Sequence, residues 1–194
     1  MKALRTKICT YAIALLTSIG FATPSNAGSS DFSGIFLAGH AQMNMVAIDG
    51  TFTDSDSNVS QGVAGGFAPT AGLEVGFNLP LGPTFFVTVG YSDVSGTARI
   101  GTANPAEGTN SADVTLHASD PTGYYIAPSI SIFDNSAVYF KFGQQSADLK
   151  AIGDVTGSPN NIDGDLWAIG TTSIASNGLF FKTEAGAVQW DNFK

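Results

Sequence analysis

The chain has 194 residues, of which 43% are hydrophobic and only 12% charged, with a formal net charge of −8. Acidity of this kind excludes nucleic acid as a partner, because phosphate binding needs a basic footprint. From residue 28 onward no apolar run approaches the roughly 18 residues of a membrane-crossing helix, which excludes a helical membrane protein. The first 27 residues stand apart: Lys2, Arg5 and Lys7 lead into a mostly apolar run, Ile8 to Phe21, followed by the small residues Thr23-Pro24-Ser25-Asn26-Ala27. This is the layout of an export signal, with cleavage expected between Ala27 and Gly28. A membrane anchor is the alternative, but the apolar run is too short and ends in a helix breaker. Cleavage would take away three of the eight basic residues and none of the sixteen acids, moving the net charge from −8 to −11. It would also remove Cys9, the only cysteine, which leaves the mature chain without thiol or disulfide chemistry.

An apolar, exported chain without apolar runs suggests strands in which every second residue faces lipid. Period two recurs along the chain. Asp31 to Ala47 sets Ile35, Leu37, Gly39, Ala41, Met43 and Met45 against Phe36, Ala38, His40, Gln42 and Asn44. Ala71 to Leu79 sets Leu73, Val75 and Phe77 against Glu74 and Asn78. Thr84 to Ser92, Thr122 to Phe133 and Ala137 to Gln145 alternate in the same way, whereas Leu166 to Ala175 is less clear and Leu179 to Trp190 is clear in its first half. Seven segments of this length fit strands crossing a bilayer at a tilt.

The connections sort by length. Long, polar stretches at Ile48 to Gly66, Gly101 to Pro121 and Ala151 to Asp165 alternate with short turns at Pro80 to Pro83, Asp134 to Ser136 and Ser176 to Gly178. Outer-membrane barrels keep long loops outside and tight turns on the periplasmic side, and Asn177-Gly178 is a hairpin signal. Phe32, Tyr91, Tyr124, Phe133, Trp167, Phe180 and Trp190 fall near strand ends, where interfacial aromatic girdles form.

The opening Asp31-Phe32-Ser33-Gly34-Ile35-Phe36-Leu37-Ala38-Gly39 resembles the first strand of small outer-membrane barrel domains of the OmpA, OmpX and opacity-protein type, and Thr183-Glu184-Ala185-Gly186 resembles their seventh. The resemblance covers Gly28 to Lys194. It implies an all-β, up-and-down antiparallel transmembrane barrel of the eight-stranded type, usually monomeric, in the outer membrane of a Gram-negative-type cell. It further implies that the partners are outer-membrane lipid and lipopolysaccharide, with the barrel-assembly machinery during insertion. Only seven strands are counted, so an eighth is expected beyond Lys194, where the family closes on a strand with a terminal aromatic residue. An alternative count makes Ala112 to Ser119 a separate strand; it is expected instead to extend the fourth, because a separate strand would put the Ala151 to Asp165 loop on the periplasmic side.

Catalysis would need a nucleophile with a base in reach, and His40 and His117 lie in no such motif. His40 is expected on the lumen face and His117 in a solvated loop. Asp54-Ser55-Asp56-Ser57-Asn58 begins like a calcium loop, but Val59 and Gly65 stand where the turn glycine and the bidentate acid belong. Neither a metal, a cofactor nor an enzyme is therefore expected. The informative set is polar and inward by alternation: His40, Glu74, Lys141, Lys182 and Glu184. A charge facing lipid at mid-bilayer costs about 2–4 kcal/mol, which directs these side chains into the lumen. The expected role is structural, with acidic surface loops in contact with the surroundings. The alternative is a small channel for ions or small solutes, and a soluble periplasmic ligand-binding barrel is a third reading.

Overall fold

The computed structural model describes residues 15–22, 32–53, 59–95, 97–103, 114–152 and 161–191. Its strands are β1 (Leu15–Ala22), β2 (Gly34–Thr53), β3 (Val59–Pro80), β4 (Phe85–Ser95), β5 (Thr97–Ala103), β6 (Val114–Phe133), β7 (Ser136–Ile152), β8 (Asn161–Ile174) and β9 (Leu179–Trp190). Every pairing is antiparallel. β4 and β5 are successive lengths of one path along β6: β4 pairs with Thr122–Ile130, β5 with Val114–Ser119. Taken together they make seven up-and-down strands from β2 to β9, each paired with the next. β1 lies between β2 and β9 and pairs with both.

The seven expected segments are all strands, and most are longer than their alternation indicates. Ile48 to Gly66 reads as a loop in the sequence, yet Ile48–Thr53 pairs in register with Val59–Ala64. Period-two hydrophobicity is imposed only where one face must be apolar, so strand lengths without such a face carry no such signature. Val114–Ser119 joins β6 as the expected extension of the fourth strand, which puts His117 in a strand and corrects its assignment to a loop. A bulge at Asp120 and Pro121, where Asp120 has φ 49°, shifts the register of β6 at the point where its partner changes from β5 to β4. Residues 23–31, including the expected cleavage site, and 54–58, the calcium-like stretch, lie outside the described residues.

The connections β3–β4, β6–β7 and β8–β9 are short hairpins at one end of the sheet. At the last, Gly178 N–H donates to the Ala175 carbonyl at 2.9 Å and Gly178 takes φ 81°. Asn177 keeps ordinary φ, so the expected turn Ser176 to Gly178 is a three-residue loop with a left-handed glycine.

Burial follows the alternation. Ile35, Leu37, Leu73, Val75, Phe77, Val89, Ile126, Phe140, Trp167 and Phe181 are exposed, while Phe36, Phe86, Tyr125, Tyr139 and Phe180 point inward and are buried. Phe32 and Phe180, expected in an outer girdle, are therefore corrected: both are buried at the hairpin end with Phe36, Phe86, Ala137 and Ile174. Phe32 stacks on Phe86 at 5.0 Å, and Phe36 meets Phe180 edge-on at 5.4 Å. Asn78 ties this end together, donating to the Phe32 carbonyl and accepting from Thr88, both at 2.6 Å. Phe32 precedes the first regular strand, so alternation says nothing of its direction.

Interior rings fit because glycine stands opposite them. Gly90 pairs with Tyr125 and Gly170 with Tyr139; a Cβ at Gly90 would lie 2.4 Å from the Tyr125 ring. Gly90→Ala is expected to destabilise the fold by about 1–3 kcal/mol through overpacking. Gly39→Ala is the control, since a Cβ there meets nothing within 4 Å. Urea unfolding of the two variants in detergent checks this, and equal midpoints would refute the ring-on-glycine account.

Candidate functional site

Four charged side chains meet in the interior, delivered by three strands. Glu74 projects from β3, Lys141 from β7, and Lys182 and Glu184 from β9. Lys182 and Glu184 are two residues apart on one strand and so share its inward face. All four are buried, Glu74 most deeply at 1% exposure. Lys182 Nζ reaches Glu74 Oε1 at 2.5 Å and Lys141 Nζ reaches Glu184 Oε2 at 3.2 Å. Lys141 also lies 3.7 Å from Glu74 Oε2, which links the pairs into one chain of alternating sign.

Two tyrosines complete the cluster. Tyr125 donates to Glu74 Oε1 at 2.6 Å and Tyr139 donates to Glu184 Oε2 at 2.9 Å. Their rings also face the ammonium groups, with Lys141 Nζ 4.2 Å from the Tyr125 centroid and Lys182 Nζ 5.2 Å from that of Tyr139. Each cation thus has carboxylate and ring contacts in place of lost water, which is what makes burial of charge tolerable.

The sequence-expected set of His40, Glu74, Lys141, Lys182 and Glu184 is inward-facing throughout. The structure brings the four charged members into contact, while His40 is 6% exposed beside them and neither of its ring nitrogens has a hydrogen-bond partner. Alternation does not single out Tyr125, because it follows the outward Tyr124 and the pair reads as one aromatic patch. The glycine opposite it on β4 is the signal that marks it as interior.

The cluster is enclosed. Toward the hairpin end lies the apolar layer of Phe32, Phe36, Phe86 and Phe180. Between that layer and Lys182 is a cavity of about 30 Å³, bordered also by Asn78, Thr88 and Tyr139; this is room for about one water. Further along the strands in the other direction Val94, Leu149, Ile162 and Val188 are buried on the same inward face. The arrangement can hold charges in balance, and the His40 ring nitrogens make no hydrogen bond in it. Asp163, in the Asp163-Gly164-Asp165 stretch, is an exposed β8 residue that accepts from Ser146 at 2.5 Å.

No family model, curated protein or solved structure matches this chain.

Breaking a buried pair from one side strands a charge, at about 3–5 kcal/mol, whereas replacing both partners with apolar residues of similar volume is near neutral. Lys141→Met is accordingly expected to be strongly destabilising, and Lys141→Met with Glu184→Met much less so. The thermal or urea midpoints of the two variants check this, and additive losses would contradict mutual dependence.

Proposed function

We propose that this chain is an exported outer-membrane β-barrel protein of the eight-stranded, up-and-down type whose closed interior gives it a structural and surface-contact role. The observation that carries this reading is the inversion of polarity. Glu74, Lys141, Lys182 and Glu184 are buried while some twenty large apolar side chains stand exposed around them, the reverse of the usual arrangement in a water-soluble protein.

The outward apolar side chains also form a bounded belt. It spans Ile35 to Met43 on β2, Leu73 to Leu79 on β3, Phe85 to Tyr91 on β4 and Tyr124 to Phe133 on β6. The spans on β2 and β6 match the roughly 9–11 residues of a tilted bilayer-crossing strand, and those on β3 and β4 are shorter. Its border away from the hairpins is abrupt on β4, β7 and β8: exposed Tyr91 is followed on the same face by Asp93, Phe142 by Gln144, and Trp167 is preceded by Asp165. Tyr124 hydrogen-bonds Gln144 at this border. Amphipathic rings at such a line are typical of a bilayer interface. Beyond it the strands continue with exposed Asp120, Asp148, Lys150 and Asp163, as expected of segments standing in water.

In this reading the hairpins face the periplasm and the strand extensions face outward, where their acidic character meets the surroundings and lipopolysaccharide. The likeness to small outer-membrane barrels belongs to the same proposal. The filled lumen favours the structural role over the channel.

Val89 is mid-belt, flanked in register by Phe77 and Ile126. Val89→Arg is expected to oppose insertion by about 2–4 kcal/mol, and Asp93→Arg, beyond the border, by about 0–1 kcal/mol. Flotation of refolded protein with lipid vesicles reads this difference. Equal flotation of both variants, or flotation of neither the variants nor the parent, would refute the membrane assignment.

A further inference from the structure

Phe32 closes the hairpin end of the interior without belonging to the sheet. The ladder of β2 begins at Gly34, which pairs with Asn78, so Phe32 stands ahead of every pairing of that strand. It is nevertheless 3% exposed, with its ring stacked on Phe86 at 5.0 Å. Such a residue keeps its seat through its own contacts rather than through those of a strand, and releasing it takes less free energy than parting strands.

The seat has a latch and a hinge. Asn78 donates from Nδ2 to the Phe32 carbonyl at 2.6 Å, and Thr88 braces it by donating to its Oδ1 at 2.6 Å. Two residues after Phe32, Gly34 has φ 107°, a conformation that L side chains rarely adopt, so the chain enters β2 through a glycine. Gly34 and Asn78 are register partners, which puts hinge and latch at one level of the sheet.

Under the ring lies a space with a polar floor. The cavity of about 30 Å³ is walled by Phe32, Phe36, Phe86 and Phe180 and reaches Thr172 and Lys182. Thr172 and Lys182 are opposed on β8 and β9, and Lys182 lies two residues beyond Phe180 on the same inward face. With the ring seated there is room for about one water; with the ring out, the space joins the solvent at the hairpin end.

We propose that Phe32 is a movable lid. Latched by Asn78 and hinged at Gly34, it swings out of its seat and admits water and small hydrophilic solutes as far as Lys182, while every strand stays paired. In the other direction Val94, Leu149, Ile162 and Val188 remain buried, so the open state is a dead-end vestibule and not a pore. The inference goes beyond the structural role and rests on the inward face of the sheet alone, whatever surrounds the outer face.

Full-length chain carrying Cys9→Ser and one new cysteine, Thr172→Cys, is refolded in detergent and treated with a charged, water-soluble methanethiosulfonate, and the labelling rate is followed by mass spectrometry. Moving a lid exposes little surface, so the rate is expected to stay flat with urea below the unfolding transition, whereas an opening that parts strands climbs with urea. Asn78→Ala removes the latch and is expected to raise the rate about two- to tenfold, the size of one neutral hydrogen bond. Gly34→Ala strains the seated conformation and is expected to act in the same direction; it serves alone where Asn78→Ala does not refold. Ala147→Cys, buried on the inward face of β7 beyond the ion network, is the control, and its rate should respond to neither change.

No labelling of Thr172→Cys below the transition overturns the lid, as does a rate that climbs with urea. Equal rates in the parent and in the variants that refold overturn it too. Equal acceleration at Ala147→Cys has the same force, because it would show a general loosening of the interior in place of a motion at one end.

Discussion

The buried ion network sets the terms for the rest of the molecule. Two carboxylates and two ammonium groups sit inside a narrow sheet, and each is tolerable only because the others are in reach. That requirement fixes the relative register of β3, β7 and β9, which are far apart in sequence. It also fixes which face of every strand is inside, because a shift of one residue would turn the charges outward and the apolar belt inward. The pleat, the network and the belt are one constraint seen from three sides.

Packing around the network explains why the interior is filled. Tyr125 and Tyr139 reach the carboxylates across the lumen, and glycines on adjacent strands leave the flat space their rings need. The phenylalanine layer at the hairpin end keeps water from the ion pairs. A lower dielectric strengthens the attraction between paired charges and raises the penalty for separating them. An opening through this lumen would have to part the pairs while solvating them, so the same contacts that stabilise the fold argue against a permanent pore.

Much of this is legible in the sequence where an environment imposes a period. Alternation places Glu74, Lys141, Lys182 and Glu184 on the inward face because their strands carry apolar residues on the other. It does not show that they meet, since register between distant strands is not written in either strand alone. Alternation also ends too early. Ile48–Thr53 and Val59–Ala64 pair without a hydrophobic signature, and pairing alone imposes no period on the side chains. Phe32 and Phe180 are misplaced by a rule about strand ends, when their partners Phe86 and Phe36 lie inside. The pairing of Leu15–Ala22 is foreshadowed by nothing in the sequence, since a segment with the layout of an export signal is ordinarily set aside from the fold.

In the proposed function the lumen is closed by its own side chains, so that the protein serves as a scaffold in the membrane. Planar-bilayer recording of refolded protein probes that closure without an intermediary. The expected result is a bilayer that holds its baseline current across applied voltages after insertion has been verified. Steady, reproducible open levels that change when Glu74 or Lys141 is replaced would contradict it and make the ion network a gate.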